Sequence, residues 1–429
     1  MRASSAFRAA VAPGGVLAGP WVRNELWRRA RAVPSLDLRF AENKSLGDAV
    51  TGQSLVTFTR ASSGTYVGSD GLIKTATTNE ARFDHDPTTG ESLGLLVEES
   101  RTNLLEYSEE FDQAAWSVSN ASVSANQTIA PDGNTTADKL VCGTGTPVFQ
   151  GIVQSITATA SATRFSVYFK AAGIDQVELR SFNPADLAIF ELSTQQVLSQ
   201  SGSPDPTITD AGNGWYRCSI TSSSSAATSF RISLASGGSR TFTPILGAGL
   251  YIWGAQLEEG SFPTSYIPTE GSTVTRSADV ASISGSNFSS WYRQDEGTIF
   301  NNSTVIVPNV QTQAAWSLTG GTYNTSLRQP QSTGDRFRAR IGNTFTPSPG
   351  TGDLLSSGTR KACVAYSGTA GRLQVGSSSD DATAVGVLDP TEFNVGSLGG
   401  TSAILNGTIR RLTYWPARLP NETLQTITQ

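Results

Sequence analysis

Aromatic side chains with polar neighbours are the residues of this sequence best suited to chemistry, and that chemistry is sugar binding. An aromatic ring packs against the C–H face of a sugar, while polar side chains around it bond the hydroxyl groups. Trp253 lies in an apolar run and Tyr216 alternates with apolar residues, so we expect both in a core. The candidates for a carbohydrate-binding surface are Trp291, Tyr292, Trp316, Trp215 and Trp116. For each of them the alternative is a place in the core, which also requires aromatic side chains.

Paired carboxylates would be needed for the other glycan chemistry, hydrolysis. Glycan-cleaving enzymes place two carboxyl groups about 5–9.5 Å apart, whereas neighbouring residues of a strand point to opposite faces of a sheet. The acidic doublets, which therefore do not converge, are Glu98 with Glu99, Glu109 with Glu110, Glu258 with Glu259, and Asp380 with Asp381. Asp84 and Asp86 could converge around His85, but an Asp just before Pro87 is typical of a turn. Because the chain has a single His, a His-based triad is nearly excluded, and we predict that the protein is not an enzyme.

Oxygen ligands cluster at Asp132, Asn134 and Asp138, where they could contribute to a structural Ca²⁺ site. Their spacing is not that of a calcium-binding loop, and a turn held by side-chain-to-backbone bonds is the alternative. The three Cys are far apart and no CxxC occurs, so neither a zinc site nor a disulfide framework is predicted. Apart from the Ca²⁺ candidate, no cofactor is expected.

The composition indicates an all-β protein with more than one core. At 429 residues the chain exceeds the roughly 250–300 residues at which single domains stop growing. Gly is plentiful and charged residues make up only 16%, which suits short strands joined by many turns. Phe165, Val167 and Phe169 alternate with more polar residues as in a half-buried strand, and Asp70-Gly71 suits a tight hairpin turn. We predict two jelly-roll or β-sandwich domains in tandem, with a small β connector and a short N-terminal helix.

The N-terminal segment differs from the rest of the chain in its charge. Residues 1–34 contain six Arg and one Glu, and the stretch from Trp21 to Arg31 has a helical pattern. Such a helix could dock into a partner protein, lie on a membrane, touch nucleic acid or simply be peripheral, and we favour docking. The residues of this predicted anchor are Trp21, Trp27, Arg28, Arg29 and Arg31. No apolar run approaches the roughly 20 residues of a membrane span, so membrane insertion is not predicted.

The predicted division of the chain has four parts. These are the basic anchor over 1–34, a β-hairpin connector over 35–108, a first jelly roll over 109–275 and a second β-sandwich over 276–429.

Three stretches of the sequence resemble parts of known phage proteins. The connector segments FTRASSGTYV, GLIKTA, NEARFDHDP, TGESLGLLVEE and RTNLL resemble the connector of bacteriophage tail-fibre or head-fibre proteins. The stretch GLYIWGAQLEEGSFPTSYIPTEG resembles the closing strand and exit linker of the carbohydrate-binding-type jelly rolls in phage tail-fibre and head-spike proteins. The C-terminal stretch NGTIRRLTYWPARLPNETLQTIT resembles the last strand and closing helix of concanavalin-like or laminin-G-like domains.

These resemblances imply a virion structural protein, a tail fibre or head spike of a bacteriophage or phage-derived particle, assembled in the bacterial cytoplasm. The implied partners are other virion proteins, reached through the N-terminus, and a host surface polysaccharide that is bound without being cleaved. Nucleic acid is not an expected partner. The fibre resemblance implies a homotrimer, with a ring at a five-fold vertex as the alternative. Two other functions stay open, a purely structural decoration or connector and, less favoured, a polysaccharide depolymerase.

Overall fold

The computed structural model of the protein describes residues 24–144, 148–156, 162–182, 186–222, 228–305, 312–321, 325–329, 338–341, 344–345, 358–368, 370–383 and 388–429. Strands account for 52% of the residues and helices for 7%, which confirms the predicted all-β class. Within these ranges no helix is long and apolar enough to cross a membrane. The chain forms two compact units. The terminal unit comprises residues 24–57, 281–405 and 409–429, and the central unit comprises residues 58–280 and 406–408.

Short elements separated by turns make up the first part of the chain. They are α1 (Glu25–Ala30), β1 (Leu36–Leu38), α2 (Phe40–Asn43), β2 (Thr57–Thr59), β3 (Gly64–Val67), β4 (Ile73–Ala76), β5 (Phe83–His85), β6 (Ser92–Val97) and β7 (Arg101–Asn103). β3 and β4 form the predicted hairpin, in which Gly71 has a φ of 74° that a larger residue would rarely adopt. β5 and β6 form a second hairpin, where Asp86 accepts bonds from the amides of Thr88 and Thr89 in the turn.

The central unit contains a sandwich of two six-stranded sheets. The elements from this region are β8 (Ser117–Ser119), β9 (Ala121–Thr128), β10 (Ala137–Cys142), β11 (Val148–Phe149), β12 (Gly151–Ser155), β13 (Thr163–Ala172), β14 (Gln176–Phe182), β15 (Leu187–Glu191), β16 (Gln196–Ser201), β17 (Thr207–Asp210), β18 (Tyr216–Ser222), β19 (Ser229–Ala235), β20 (Thr241–Phe242) and β21 (Gly249–Glu259). One sheet has the order β17-β18-β13-β21-β10-β9 and the other β16-β15-β14-β19-β12-β8. Phe165, Val167 and Phe169 of β13 are fully buried in the core, and the ring centroid of Phe165 lies 5.4 Å from that of Phe230 in β19. Removal of these apolar side chains from water holds the two sheets together.

A second, smaller aromatic cluster covers the other face of β13 and β21. Tyr168 and Trp253 are buried there with Tyr266, whose ring centroid lies 4.5 Å from that of Trp253. Tyr266 belongs to the proline-containing segment after β21, and its hydroxyl lies 2.7 Å from Ser108 Oγ. Both faces of these central strands are therefore buried, as the continuous apolar pattern of β21 predicts.

The terminal unit is built from strands of both chain ends. The elements after β21 are β22 (Val274–Arg276), β23 (Val280–Ser284), α3 (Gly285–Ser289), β24 (Glu296–Val305), β25 (Gln313–Thr319), β26 (Thr325–Gln329), β27 (Arg338–Ile341), β28 (Thr344–Phe345), β29 (Gly358–Ser367), β30 (Ala370–Val375), β31 (Ser378–Thr383), β32 (Glu392–Val395), β33 (Gly407–Trp415) and α4 (Asn421–Thr428). β22 pairs with β7 in the central unit. In the terminal unit, one sheet has the order β31-β30-β29-β24-β33 with β1 paired to β33, and another contains β23-β32-β25-β26-β27-β28. Leu424 and Ile427 of α4 are buried in one cluster with Trp415 and Leu419, so the predicted closing strand and helix are present.

The four-part division predicted from the sequence stays a prediction. In the structure residues 24–57 lie in the terminal unit, where Leu36 of β1 is paired with Tyr414 of β33. Residues 58–108 lie in the central unit together with the sandwich.

Five buried charged side chains join the connector of the central unit to the segment after the sandwich. They are Arg60, Arg82, Glu98, Arg276 and Asp279, and we call them the arginine–carboxylate network. Arg60 Nη1 lies 3.0 Å from Asp279 Oδ1, and Arg276 Nη1 lies 2.9 Å from Glu98 Oε2. Arg82 contacts both acids, at 2.8 Å in the case of Glu98. Residues about 180–220 positions apart in the chain are thus held together by ion pairs out of contact with water.

Two carboxyl groups of this region have pKa values that move in opposite directions. Burial alone would raise the pKa of Glu98, but the positive charges of Arg276 and Arg82, together with bonds from Ser265, lower it to about 2. Asp84 has one bond from the amide of Val67, at 2.7 Å, and burial raises its pKa to about 6.

In the terminal unit the buried carboxylate of Asp37, in β1, has a comparable role. It accepts bonds from Trp27 Nε1 at 2.9 Å, Arg39 Nε at 2.7 Å, Arg411 Nε at 2.8 Å and Thr413 Oγ1 at 2.8 Å. The side chains of Arg39 and Arg411 remain 18% and 12% exposed, so these ion pairs keep some contact with water. Asp37 thereby attaches both α1 and β1 to β33.

Candidate functional site

Four of the five predicted sugar-binding residues are buried, and the prediction for them is corrected. Trp116, Trp215, Trp291 and Trp316 are between 0% and 4% exposed, so a sugar ring cannot stack on them in this structure. Trp215 belongs to the second aromatic cluster, and its Nε1 donates to the carbonyl of Ile129 at 3.2 Å. Polar residues next to a Trp in a strand do not reveal whether another segment of the chain covers that face of the sheet.

Tyr292 is the predicted residue that the structure places at an open surface. It is half-buried and lines a groove of the terminal unit with a volume of about 800 Å³. Phe288 also lines this groove, which we call the tyrosine groove. The polar side chains that line it are Ser284, Ser289, Gln294, Asp389, Thr391 and Glu392. The volume lies within the roughly 300–1,000 Å³ of ordinary small-ligand sites.

The aromatic wall of the tyrosine groove comes from a short helical turn. Phe288, Trp291 and Tyr292 follow the i, i+3, i+4 spacing that places side chains on one side of a helix. Phe288 and Tyr292 are stacked, with ring centroids 4.6 Å apart and an interplanar angle of 25°. Trp291 lies behind them, 5.1 Å from Phe288 and 5.0 Å from Tyr414 between centroids. The buried Trp291 therefore supports the ring that the groove exposes.

The opposite wall is set by strand register and by two glycines. Ser284 at the end of β23 is paired with Glu392 at the start of β32, so both side chains border the same opening. The amide of Thr391 donates to the carbonyl of Thr319 at 2.9 Å. A Cβ at Gly320 or Gly321 would collide with Thr391 or Asp389, so only glycine allows the close approach of this wall. Close packing against these two glycines and the Thr391 bond therefore hold this wall in place.

The tyrosines behind the groove are neutral near pH 7. Burial raises the pKa of Tyr292, and burial raises the pKa of Tyr414 to about 12. Tyr366 and Tyr414 both donate to the carbonyl of Arg293, at 3.0 and 2.9 Å. The groove thus combines an uncharged aromatic face with hydroxyl, amide and carboxylate groups. These are the groups that suit the binding of a polyhydroxylated ligand.

Sequence reasoning did not find Asp389 and Glu392, because they lie just before and at the start of β32, about 100 residues beyond Tyr292. The i, i+3, i+4 aromatic spacing was the available signal for the near wall. No comparable signal marked the far wall, which depends on strand register.

The prediction that the acidic doublets do not converge is wrong for Glu109 and Glu110, which line one cleft of the central unit. Three other acidic candidates are held by separate partners. Asp84 is bonded to Val67, while Asp86 caps its turn as predicted, and Glu98 belongs to the arginine–carboxylate network. His85 is 4% exposed, and its Nδ1 lies 3.0 Å from the carbonyl of Val67.

The two Asp residues predicted as calcium ligands accept hydrogen bonds from backbone amides and from a neighbouring side chain. Asp132 accepts bonds from the amide and side chain of Asn134, as expected for a turn. Asp138 accepts bonds from the amides of Phe111 and Asn126, both at 2.9 Å. Among the residues that the structure describes, no three His, Cys, Asp or Glu side chains are grouped so as to hold a metal ion.

The predicted anchor residues have four different outcomes. Trp21 lies outside the described residues. Trp27 is 5% exposed and bonded to Asp37, so the expectation that it docks into a partner is corrected: it is part of the terminal unit. Arg29 donates to the carbonyl of Thr426, whereas Arg28 and Arg31 are exposed. The described helix is also shorter than the predicted one, because Asn24 caps its start and Arg31 ends it with a φ of 51°.

Comparison with known proteins found no matching family model and no matching curated protein. Among solved structures 39 chains match. One is the carbohydrate-binding module CBM40 of the Ruminococcus gnavus IT-sialidase bound to α2,6-sialyllactose, at 14% identity and a TM-score of 0.26, covering 32% of this chain and 85% of that one. Another is Trypanosoma rangeli sialidase with the inhibitor DANA, at 9% identity and a TM-score of 0.29, covering 68% of this chain and 60% of that one. The same sialidase in complex with sialic acid matches at 12% identity and a TM-score of 0.29, covering 68% of this chain and 59% of that one.

Carbohydrate-binding β modules are thus among the structures to which this chain is similar. The TM-scores lie below 0.5, so these likenesses assign neither a family nor a substrate. The matched sialidases are nevertheless enzymes, and that finding overturns the prediction that the chain is not an enzyme. The prediction is wrong as stated and is not carried further.

Proposed function

We propose that the tyrosine groove binds a segment of a glycan. The observation that carries this proposal is the half-buried Tyr292 ring, stacked on Phe288, in a groove of about 800 Å³ bordered by hydroxyl, amide and carboxylate groups. A sugar ring would pack on the exposed face of Tyr292, and its hydroxyls would bond Ser284 and Glu392, which face each other across the strand pair. The backbone bond from Thr391 to Thr319 holds the wall at residues 389–391, which would reduce the ordering that binding costs.

Replacement of Tyr292 by Leu tests this proposal, because Leu keeps apolar bulk and removes the aromatic face. We expect at least a fivefold loss of affinity in a glycan-array screen followed by NMR titration, in line with the roughly 1 kcal/mol of an aromatic contact. Tyr251→Leu is the matched control, since Tyr251 is also half-buried but lies in the central unit. Equal binding by wild type and Tyr292→Leu, with unchanged melting temperatures, would refute the assignment of the groove.

Glycan hydrolysis is the second candidate function, because two carboxylates, Asp389 and Glu392, line the same groove. A glycosidase requires such a pair, one acid to protonate the leaving group and one carboxylate to act as base or nucleophile. Incubation of the glycans that bind with wild type, Asp389→Asn and Glu392→Gln would separate binding from cleavage. New reducing ends with wild type alone would show hydrolysis. Their absence with all three proteins would show that the groove binds the glycan without cleaving it.

The sequence resemblances support a further proposal, that the chain is a tail-fibre or head-spike subunit which presents this groove to host polysaccharide. In a homotrimer, several weak sites would act together and raise the overall affinity without a deep pocket. The alternative, a structural decoration protein, predicts that Tyr292 is covered in the assembled particle. A truncation that begins at Asn24 removes residues 1–23 and keeps every described residue of the terminal unit. Loss of incorporation into particles, with folding retained, would support attachment through residues 1–23.

A further inference from the structure

The central unit contains a second cleft whose walls are acidic. It has a volume of about 530 Å³ and is lined by five carboxylic acids. These are Glu109, Glu110, Asp112, Asp138 and Glu270. None of the residues described as lining this cleft is Lys or Arg, so the carboxylates have no basic neighbour within its walls. We call it the acidic cleft.

Two of its carboxylates are held in place by hydrogen bonds. Asp138 receives bonds from two backbone amides, and Glu109 receives one from Tyr266 Oη at 2.9 Å. Burial raises the pKa of Asp138 to about 6, with a contribution from the negative charges of Asp112 and Glu110. Burial also raises the pKa of Glu109. Near pH 7 the cleft therefore holds negative charge in partly desolvated positions, where a positive ligand would be stabilised.

A separate observation also indicates a ligand. Thr269 lines the acidic cleft and is 5% exposed, yet its Oγ1 has no hydrogen-bond partner among the described residues. Its backbone is fixed, because its amide donates to Ser108 Oγ at 2.8 Å and its carbonyl accepts from the Ser108 amide at 3.0 Å. A buried hydroxyl without a partner is costly and uncommon in folded proteins. A ligand hydroxyl or amine in the cleft would satisfy it.

We propose that the acidic cleft binds a sugar that carries a free, protonated amine. The carboxylates would accept bonds from the ammonium group, and these charge-assisted bonds are the strongest available to the site. Thr269, Thr136 and Ser272 would bond the hydroxyls of the ring, which a simple polyamine does not possess. An acidic sugar would be repelled. This proposal concerns a different unit from the tyrosine groove and stands independently of it.

The test is calorimetric titration of the full chain at pH 7 and low salt with a glucosamine tetramer. The comparison ligands are the N-acetylglucosamine tetramer, spermidine and CaCl₂. Saturable binding of the glucosamine tetramer, at least about tenfold tighter than that of the acetylated tetramer, is the expected result. Equal binding of the two tetramers would overturn the proposal, because the charge would then not be recognised. Binding of spermidine as tight as that of the glucosamine tetramer, or displacement of that tetramer by equimolar Ca²⁺, would overturn it as well.

Two variants locate the binding without disturbing the core. The double variant Glu110→Gln with Asp112→Asn removes two exposed carboxylates and should weaken binding at least about tenfold. Thr269→Val removes only the unpartnered hydroxyl and should weaken binding several-fold with an unchanged melting temperature. Glu106→Gln is the control, since Glu106 is an exposed acid of the same segment outside the cleft. Tyr292→Leu should leave this affinity unchanged, so failure of one site is distinguishable from failure of the other. Unaltered affinity in both cleft variants would place the ligand elsewhere and refute the site.

Discussion

The two units attach distant chain segments to their sheets in different ways. The central unit uses three Arg and two acids that are at most 2% exposed, whereas the terminal unit uses one buried acid, Asp37, with Arg side chains that keep contact with water. A fully buried ion pair stabilises a protein little more than hydrophobic residues of similar volume would. Removal of one partner is nevertheless strongly destabilising, because it leaves the remaining charges buried and uncompensated. We therefore expect the central unit to depend on all members of its network, while water can replace a lost bond in the terminal unit.

The largest effect is expected for Asp279→Asn in the central unit. This change removes the negative charge that faces both Arg60 and Arg82, neither of which can reach water. We expect the free energy of unfolding to fall by about 4 kcal/mol. Urea denaturation measures the loss, and hydrogen exchange should show that it is confined to peptides of the central unit. A loss below about 1 kcal/mol would contradict the difference between the units.

A smaller effect, of opposite sign, is expected for Asp84→Asn beside the same network. Because burial raises the pKa of Asp84 from 3.8 to about 6, the folded state holds its proton more tightly than the unfolded chain does. Wild type should therefore lose stability as the pH rises from about 4 to about 6, by up to about 3 kcal/mol. Asn keeps an oxygen for the Val67 amide without the charge.

The measurement is the difference in unfolding free energy between Asp84→Asn and wild type at pH 4 and pH 7. The variant should gain stability over wild type at pH 7 and not at pH 4. A difference that does not change with pH would show that the Asp84 carboxyl is not desolvated.

The smallest of the three effects is expected for Asp37→Asn in the terminal unit. Charged hydrogen bonds to Arg39 and Arg411 are lost, but both guanidinium groups can turn to water, so we expect a loss of about 2 kcal/mol. Glu42→Gln is the control, since Glu42 faces the same two Arg from an exposed position. If Asp37→Asn were as damaging as Asp279→Asn, residual exposure would not explain the difference between the units.

Local patterns predicted the strands and turns well. The alternation of Phe165, Val167 and Phe169 and the Asp70-Gly71 turn depend on neighbours within one strand or hairpin, and both elements are present. The half-burial predicted for the strand is wrong, however, because β13 is buried on both faces. Exposure of aromatic side chains was predicted poorly, because it depends on segments far away in the sequence. Trp215 is covered by the aromatic cluster that contains Tyr266, and Trp27 is fixed by Asp37.

The candidate sites were predictable only in part for the same reason. Tyr292 could be found from its spacing to Phe288, but Glu392 joins it only through the pairing of β23 with β32. The arginine–carboxylate network was hidden as well, since Arg60 and Asp279 are separated by 219 positions.

Gly320 and Gly321 determine how wide the tyrosine groove can be, although neither residue lines it. Because each sits against the backbone or side chains of the 389–391 wall, even a methyl group added there would shift that wall. Ligand preference could thus be altered by a mutation that never meets the ligand, and a survey of variants limited to contact residues would overlook it.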